Sequence, residues 1–361
     1  MLYIKKGKVI IYRIYDVASE IDLSLIEELA KEGVRRLRLS RYPYMKALEF
    51  TNPPVSLDLK GFEKELQGIN FKVSIVAKAY DFGVISLAFN FPVSSISFSD
   101  LERIARALDT DESIDSIAIG YINHLIKSFS RAMTEPEIKE TVLEDYMIFY
   151  IEELSEMISA DEFLKLYDPS RLLLYEDKPL SEYAKEETLK HRFSYYPDDL
   201  VILHLDNALI IDPRGDHDIV DILEFANAQI LELRYYDSVL DKELQRIYNE
   251  LSSRGGISIF KIREYERLAR NLTETVTDLT EVTEKINNAL KVTEDVYYAK
   301  IYQTAMMLFR SQDWESSINE KLSIVSNTYK MIYDEISTKR GHILELGIFL
   351  LIVLEILLAI L

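Results

Sequence analysis

Residues 343–361 read Ile-Leu-Glu-Leu-Gly-Ile-Phe-Leu-Leu-Ile-Val-Leu-Glu-Ile-Leu-Leu-Ala-Ile-Leu, and fifteen of the nineteen are Leu, Ile, Val or Phe. Glu345 and Glu355 are the charged exceptions. As a helix rising about 1.5 Å per residue, the stretch spans roughly 28 Å, close to the hydrocarbon thickness of a bilayer. Lys339 and Arg340 stand just before it. That layout is expected of a single-pass anchor in the cell membrane with the body on the cytoplasmic, Lys/Arg side. Ile343, Glu345, Leu350, Glu355 and Leu361 mark the expected membrane segment, and Lys339 and Arg340 its flank.

Working back from this segment, the spacing predicts one helix from Trp314 to Leu361. Its seam alternates by four and three: Ile318, Leu322, Val325, Tyr329, Ile332, Ile336, Lys339, Ile343, and on to Ile360. A first seam runs from Ile219 through Leu233, Asp237 and Leu240 to Leu251. A second runs from Tyr265 through Thr283 and Ile286 to Thr293 and Tyr297. Three such seams imply a long antiparallel hairpin or coiled coil, in which Asp237, Thr283 and Thr293 are the polar seam positions. A polar residue at a seam fixes register or meets a cation from another helix.

Upstream of Asp216 the pattern is mixed. Val9-Ile-Ile-Tyr-Arg-Ile-Tyr15 is rich in β-branched and aromatic residues and reads as a strand. Ser19 or Asp22 caps a short helix, and Asn52-Pro-Pro54 closes a run of short strands. Phe71–Ala79 and Val84–Phe91 flank a hairpin turn at Tyr80-Asp-Phe-Gly83. Ser99-Asp-Leu-Glu102 has the spacing of a capping box. Tyr146–Ile151 reads as a strand, Ser159–Tyr167 and Ser181–His191 as helices, and Asp199–Leu205 with Ala208–Asp212 as a second hairpin. The fold class is therefore α+β, with helices on one face of the sheets. The expected division is 1–140 and 141–215 as α/β subdomains, 216–342 as coiled coil, and 343–361 as the anchor. The strand, helix, hairpin, helix order shared by the first two reads either as a duplication or as the common reuse of that order in α+β proteins.

The 361 residues are 48% apolar, enough for a buried core, and the net charge is −19. So acidic a body is repelled by nucleic-acid phosphate, so no nucleic-acid partner is expected. Arg35, Arg36, Arg38 and Arg41 read as a solvated strand and loop. Cysteine is absent, which excludes disulfides, thiol catalysis and cysteine-ligated metals. The five histidines are scattered, and glycine-rich phosphate loops and nucleophile elbows are missing. Asp212-Pro-Arg-Gly-Asp-His-Asp218 with Asp221 reads as a turn and an acidic first helical turn, with a hard-cation site as the alternative. Tyrosine pairs such as Tyr195-Tyr196, Tyr235-Tyr236 and Tyr297-Tyr298 read as amphipathic packing. No cofactor, metal or catalytic residue is expected.

Several helical stretches carry a resemblance: Leu223-Glu-Phe-Ala-Asn-Ala228, Leu231-Glu-Leu-Arg-Tyr-Tyr-Asp237, Asn288-Ala-Leu-Lys-Val-Thr-Glu-Asp-Val-Tyr-Tyr298, Asp334-Glu-Ile-Ser-Thr-Lys-Arg340 and the terminal Leu344-Glu345 and Leu354-Glu355. Together, over about residues 193–361, they resemble the required-for-meiotic-nuclear-division (sporulation) family, a domain of unknown function. The resemblance implies a non-enzymatic, self-associating protein held at a membrane by its last helix, and the lack of a mitochondrial presequence points to a prokaryotic member. Relatives in mitochondria are tied to organelle translation, and those in fungi to meiotic division. The expected function is a membrane-anchored homo-oligomeric scaffold or tether with an unidentified protein partner. The alternatives are a ligand-binding or enzymatic α/β body that uses the helices only as an anchor, and a soluble oligomer that buries the apolar tail in a bundle.

Overall fold

The computed structural model describes residues 2–30, 34–36, 48–50, 52–139, 143–252, 277, 290–292 and 296–360. The chain divides into two units, one of Met1–Tyr235 with Lys285–Gln312 and the other of Tyr236–Glu284 with Asp313–Leu361. Its strands are β1 (Tyr3–Asp16), β2 (Glu20–Ile21), β3 (Val34–Arg36), β4 (Leu48–Phe50), β5 (Val55–Leu66), β6 (Ile69–Ala79) and β7 (Val84–Val93). Then follow β8 (Ile96–Ser97), β9 (Met133–Thr134), β10 (Leu143–Leu154), β11 (Arg192–Phe193), β12 (Leu200–Leu203), β13 (Asn207–Ile211) and β14 (Leu290–Val292). The helices are α1 (Leu23–Leu29), α2 (Phe98–Asp109), α3 (Ser113–Phe129), α4 (Ala160–Leu166), α5 (Ser170–Leu173), α6 (Glu182–Thr188), α7 (Asp218–Ser252), α8 (Val296–Leu308) and α9 (Ser311–Ile360).

The first unit is built on one ten-stranded sheet, ordered β11-β12-β13-β10-β1-β7-β6-β5-β3, with β8 pairing the start of β1. All pairs are antiparallel except β10 with β13. Strands from both stretches read as separate subdomains join in this sheet, β1 lying directly beside β10. The α+β class is as expected; helices on one face only are not. Val9, Ile11 and Phe89 face a core shared with α2, α3, α4 and α5. Ile10, Tyr12, Ile14 and Tyr150 point to the other face and are just as buried. That face meets α7, where Phe225 packs on Tyr80 and Phe82. A central strand covered twice reads as a continuous apolar run, not as clean alternation.

Local chemistry sets the boundaries. Asp22 caps α1 by accepting the N–H groups of Ser24 and Leu25, and Ser159 and Ser181 cap α4 and α6. The capping box of α2 lies two residues before the expected one: Ser97 and Asp100 cap each other's backbone. Of the described strands that were not expected, β5 is the longest. Its outer half exposes Lys60, Gly61 and Glu63, so no apolar alternation announces it. The ladder to β6 slips between Leu59 and Phe62, where a Cβ on Gly61 would lie 2.1 Å from the Val73 carbonyl oxygen. Only glycine admits that approach.

In the second unit the first and third seams are buried or half-buried as far as Ile336, and the described seam positions from Ile343 onward are exposed. Leu240 and Ile247 of α7 are buried, as are Ile318, Val325, Ile332 and Ile336 of α9. The second seam does not run as one helix: Leu290 lies in β14, paired with β4, and Tyr297 belongs to α8, while Thr283 and Thr293 lie outside the described residues, as does Leu361.

Candidate functional site

Among the predicted site residues, Asp237 has partners on another helix. It is buried in the second unit, where its carboxylate accepts from Ser317 Oγ at 2.6 Å and Lys321 Nζ at 2.8 Å. Lys321 also pairs with Asp241 at 2.7 Å. The membrane-segment residues Ile343, Glu345, Leu350 and Glu355 lie on α9, where every described side chain from Arg340 to Ala359 is exposed. Lys339 is half-buried and Arg340 exposed. Leu344 is 68% exposed and Phe349 62%, so no side of the apolar stretch is covered. By length and composition this helix is able to cross a bilayer.

A concave site that sequence reasoning did not assemble lies on the α7 face of the sheet. Lys8, Ile10 and Tyr12 alternate along β1, so all three side chains emerge on one face. Register places Ile10 beside Asn90 and Tyr12 beside Ala88, then Ala88 beside Val76 and Ser86 beside Lys78. His217, Val220, Asp221 and Glu224 follow the i, i+3, i+4, i+7 spacing at the start of α7 and close the other side. The resulting cavity is about 420 Å³. Deep in it, Lys78 Nζ sits 2.5 Å from Asp221 and 2.5 Å from Glu224. Burial raises the Glu224 carboxyl and Lys78 opposes that shift. Burial would lower Lys78, but the two carboxylates outweigh it and hold the ammonium charged.

The mouth differs from the floor. Lys8 Nζ lies 5.4 Å from the centre of the Tyr150 ring, and His217 stacks on the same ring at 4.8 Å. Burial lowers the pKa of both Lys8 and His217. The cavity thus offers an ammonium, an imidazole and the Asn90 amide above a neutralised floor, suited to holding a small polar molecule. Sequence reasoning missed Glu224; the available signal was an acid flanked by Ile222, Leu223, Phe225 and Ala226, where burial demands a counter-charge. Nothing local named Lys78 as that charge.

The flagged loop behaves as a turn and helix start. Asp212 accepts the backbone N–H of Arg214 at 3.0 Å and of Asp216 at 3.3 Å, and Asp216 accepts that of Asp218 at 3.0 Å. Among the described residues no three His, Asp or Glu side chains gather as a metal ion would require. Arg35 is exposed and pairs with Asp58; the Arg36 side chain, Arg38 and Arg41 lie outside the described residues.

An α+β body built on one mixed sheet, with a long apolar helix, is the class these observations define. The family model described as "Uncharacterized protein MJ0711, N-terminal domain" matches residues 6–218, and the chain belongs to that family. Uncharacterized protein MJ0711 of Methanocaldococcus jannaschii is 30% identical over 220 residues, which cover 60% of this chain and 66% of that protein. No solved structure matches. These matches overturn the resemblance to the required-for-meiotic-nuclear-division family. The family match falls on the sheet and stops at the first residue of α7, whereas that resemblance rested on the helices. Heptad seams and an apolar last helix recur wherever helices pair near lipid, so they identify a geometry and not a lineage.

Proposed function

We propose that the protein is a non-enzymatic, membrane-attached scaffold that self-associates through its helices and holds the α+β body on the cytoplasmic side, marked by Lys339 and Arg340. The observation that carries this is the exposure of α9 on all sides from Arg340 to Ala359. Leaving an apolar side chain of this size in water forgoes about 1.5–3 kcal/mol of burial. Over the whole stretch the total is on the order of 20 kcal/mol, which a bilayer or partner helices recover. Glu355 inside the apolar run supports self-association, because a carboxylate at that depth is costly without a partner.

The test is fractionation after an alkaline carbonate wash. The intact chain is expected in the membrane pellet, and a chain lacking 343–361 in the supernatant. Recovery of the intact chain as a discrete soluble oligomer would reject the anchor in favour of a closed bundle. A second reading, a body that binds a small polar ligand, is favoured by the cavity at Lys8 and His217. It is compatible with attachment but makes the scaffold role secondary.

A further inference from the structure

Lys8 is a half-buried charge without a counter-ion. The other charged side chains at its cavity are each matched. Arg35 pairs with Asp58, Lys78 holds Asp221 and Glu224, and Glu152 pairs with Lys6. Glu152 and Asp221 act on Lys8 through space, but each is bound to its own cation. Among the described residues Lys8 forms no ion pair. Its nitrogen stands beside the Tyr150 ring, which is fixed by a hydroxyl donated to the Asp216 carbonyl at 2.9 Å. His217 stacks on the same ring. An ammonium that has given up part of its water without gaining an anion is held at a cost, and a bound anion relieves it.

The rest of the lining narrows the class of anion. Ile10, Val76, Ala88 and Val220 give the cavity aliphatic walls. Its volume of about 420 Å³ falls within the roughly 300–1,000 Å³ of small-molecule sites. A phosphate dianion is commonly cradled by several N–H donors at a helix start. Here Asp216 already accepts the Asp218 N–H, and Asp218 and Asp221 fill the first turn of α7 with negative charge. What remains is one ammonium and one imidazole. A carboxylate matches them, because its two oxygens can take the Lys8 ammonium and a His217 ring N–H. An alkyl body on that carboxylate gains by leaving water for the aliphatic walls.

Building on the reading of this cavity as a small-ligand site, we propose that it binds a small aliphatic monocarboxylate, with the charge on Lys8 and His217 and the alkyl body against Ile10, Ala88 and Val220. The probe is 3-methylbutanoate, titrated into the full chain in nonionic maltoside micelles with ¹³C-labelled histidine followed by NMR. The His217 signal is assigned by its loss in His217→Gln. The comparison probes are 3-methylbutanamide, which keeps the shape without the charge, acetate, which keeps the charge without the alkyl body, and inorganic phosphate. A saturable shift of the His217 signal is expected with 3-methylbutanoate. The amide is expected to bind about tenfold more weakly, acetate about tenfold more weakly, and phosphate more weakly than 3-methylbutanoate. Lys8→Met keeps the stem on the Tyr150 ring and is expected to weaken the carboxylate about tenfold while leaving the amide unchanged. His217 senses Lys8, Lys78, Asp221 and Glu152, so its titration is compared with and without ligand at fixed ionic strength. The bound carboxylate is expected to raise its pKa, since a neighbouring anion favours imidazolium; loosened packing would not do so. The comparison of carboxylate with amide in the unaltered chain decides the outcome even where a variant is unstable. Equal or tighter binding of the amide or of phosphate would overturn the carboxylate and leave a small-ligand site of other chemistry. No saturable shift with any of the four probes would overturn both the ligand class and the small-ligand reading.

Discussion

Lys78→Met is expected to destabilise the first unit by about 3–5 kcal/mol, read as a lowered denaturant midpoint at unchanged slope. Methionine keeps the length and apolar stem of the side chain, so the loss reports charge and not volume. Glu224 is 1% exposed and Asp221 lies one turn before it on α7, with Lys78 between them as their shared cation. Without it two carboxylates face each other away from water, and either one takes a proton or the start of α7 lifts from the sheet. The pH dependence follows from the sign of the shift. A carboxyl raised in the folded state holds more protons there than in the unfolded chain, so stability falls as pH rises through its folded pKa. The deficit of Lys78→Met therefore grows with pH. Adding Asp221→Asn and Glu224→Gln is expected to recover most of it. A loss under about 1 kcal/mol would mean that the three groups remain hydrated.

Gly83→Ala is expected to cost about 3 kcal/mol or more. Gly83 has φ +102°, and a Cβ there would lie 1.9 Å from the Ala18 carbonyl oxygen, a backbone atom with no room to yield. Its own carbonyl accepts the Val17 N–H at 3.0 Å, and Tyr80 donates to the Val84 carbonyl at 2.9 Å. The substitution therefore disturbs both the β6–β7 turn and the end of the central strand. Thermal or urea unfolding measures it; a change within about 0.5 kcal/mol, typical of surface positions, would show that the turn relaxes freely.

Legibility in the sequence followed the range of the interaction. The Tyr80–Gly83 turn, the caps at Asp22, Ser159 and Ser181, and the buried seam positions of α7 and α9 depend on neighbours within a few residues, and the residue types announce them. β5 was hidden because its polar outer half carries no alternation and its bulge turns on Gly61. The Lys78 triad joins residues 143 positions apart, and nothing local in the sequence pairs either acid with that cation. Tyr195-Tyr196 and Tyr297-Tyr298 were visible as pairs, but the contact of Tyr195 with Tyr297 at 5.2 Å was not. The seam of α9 continues in phase past Ile336, yet burial stops there. Periodicity records which face is apolar; it does not record what covers it.

What covers α9 is open to direct measurement, because the chain contains no cysteine. Single cysteines placed at Lys339, Leu346, Leu350, Val353 and Leu357 of the otherwise intact protein can each be challenged in native membranes with a membrane-impermeant maleimide. A bilayer-embedded helix predicts labelling at position 339 and protection at the four apolar positions, whichever side of the helix they occupy, until detergent is added. Ready labelling at all five, or protection restricted to one helical face in a membrane-free soluble fraction, would contradict membrane attachment.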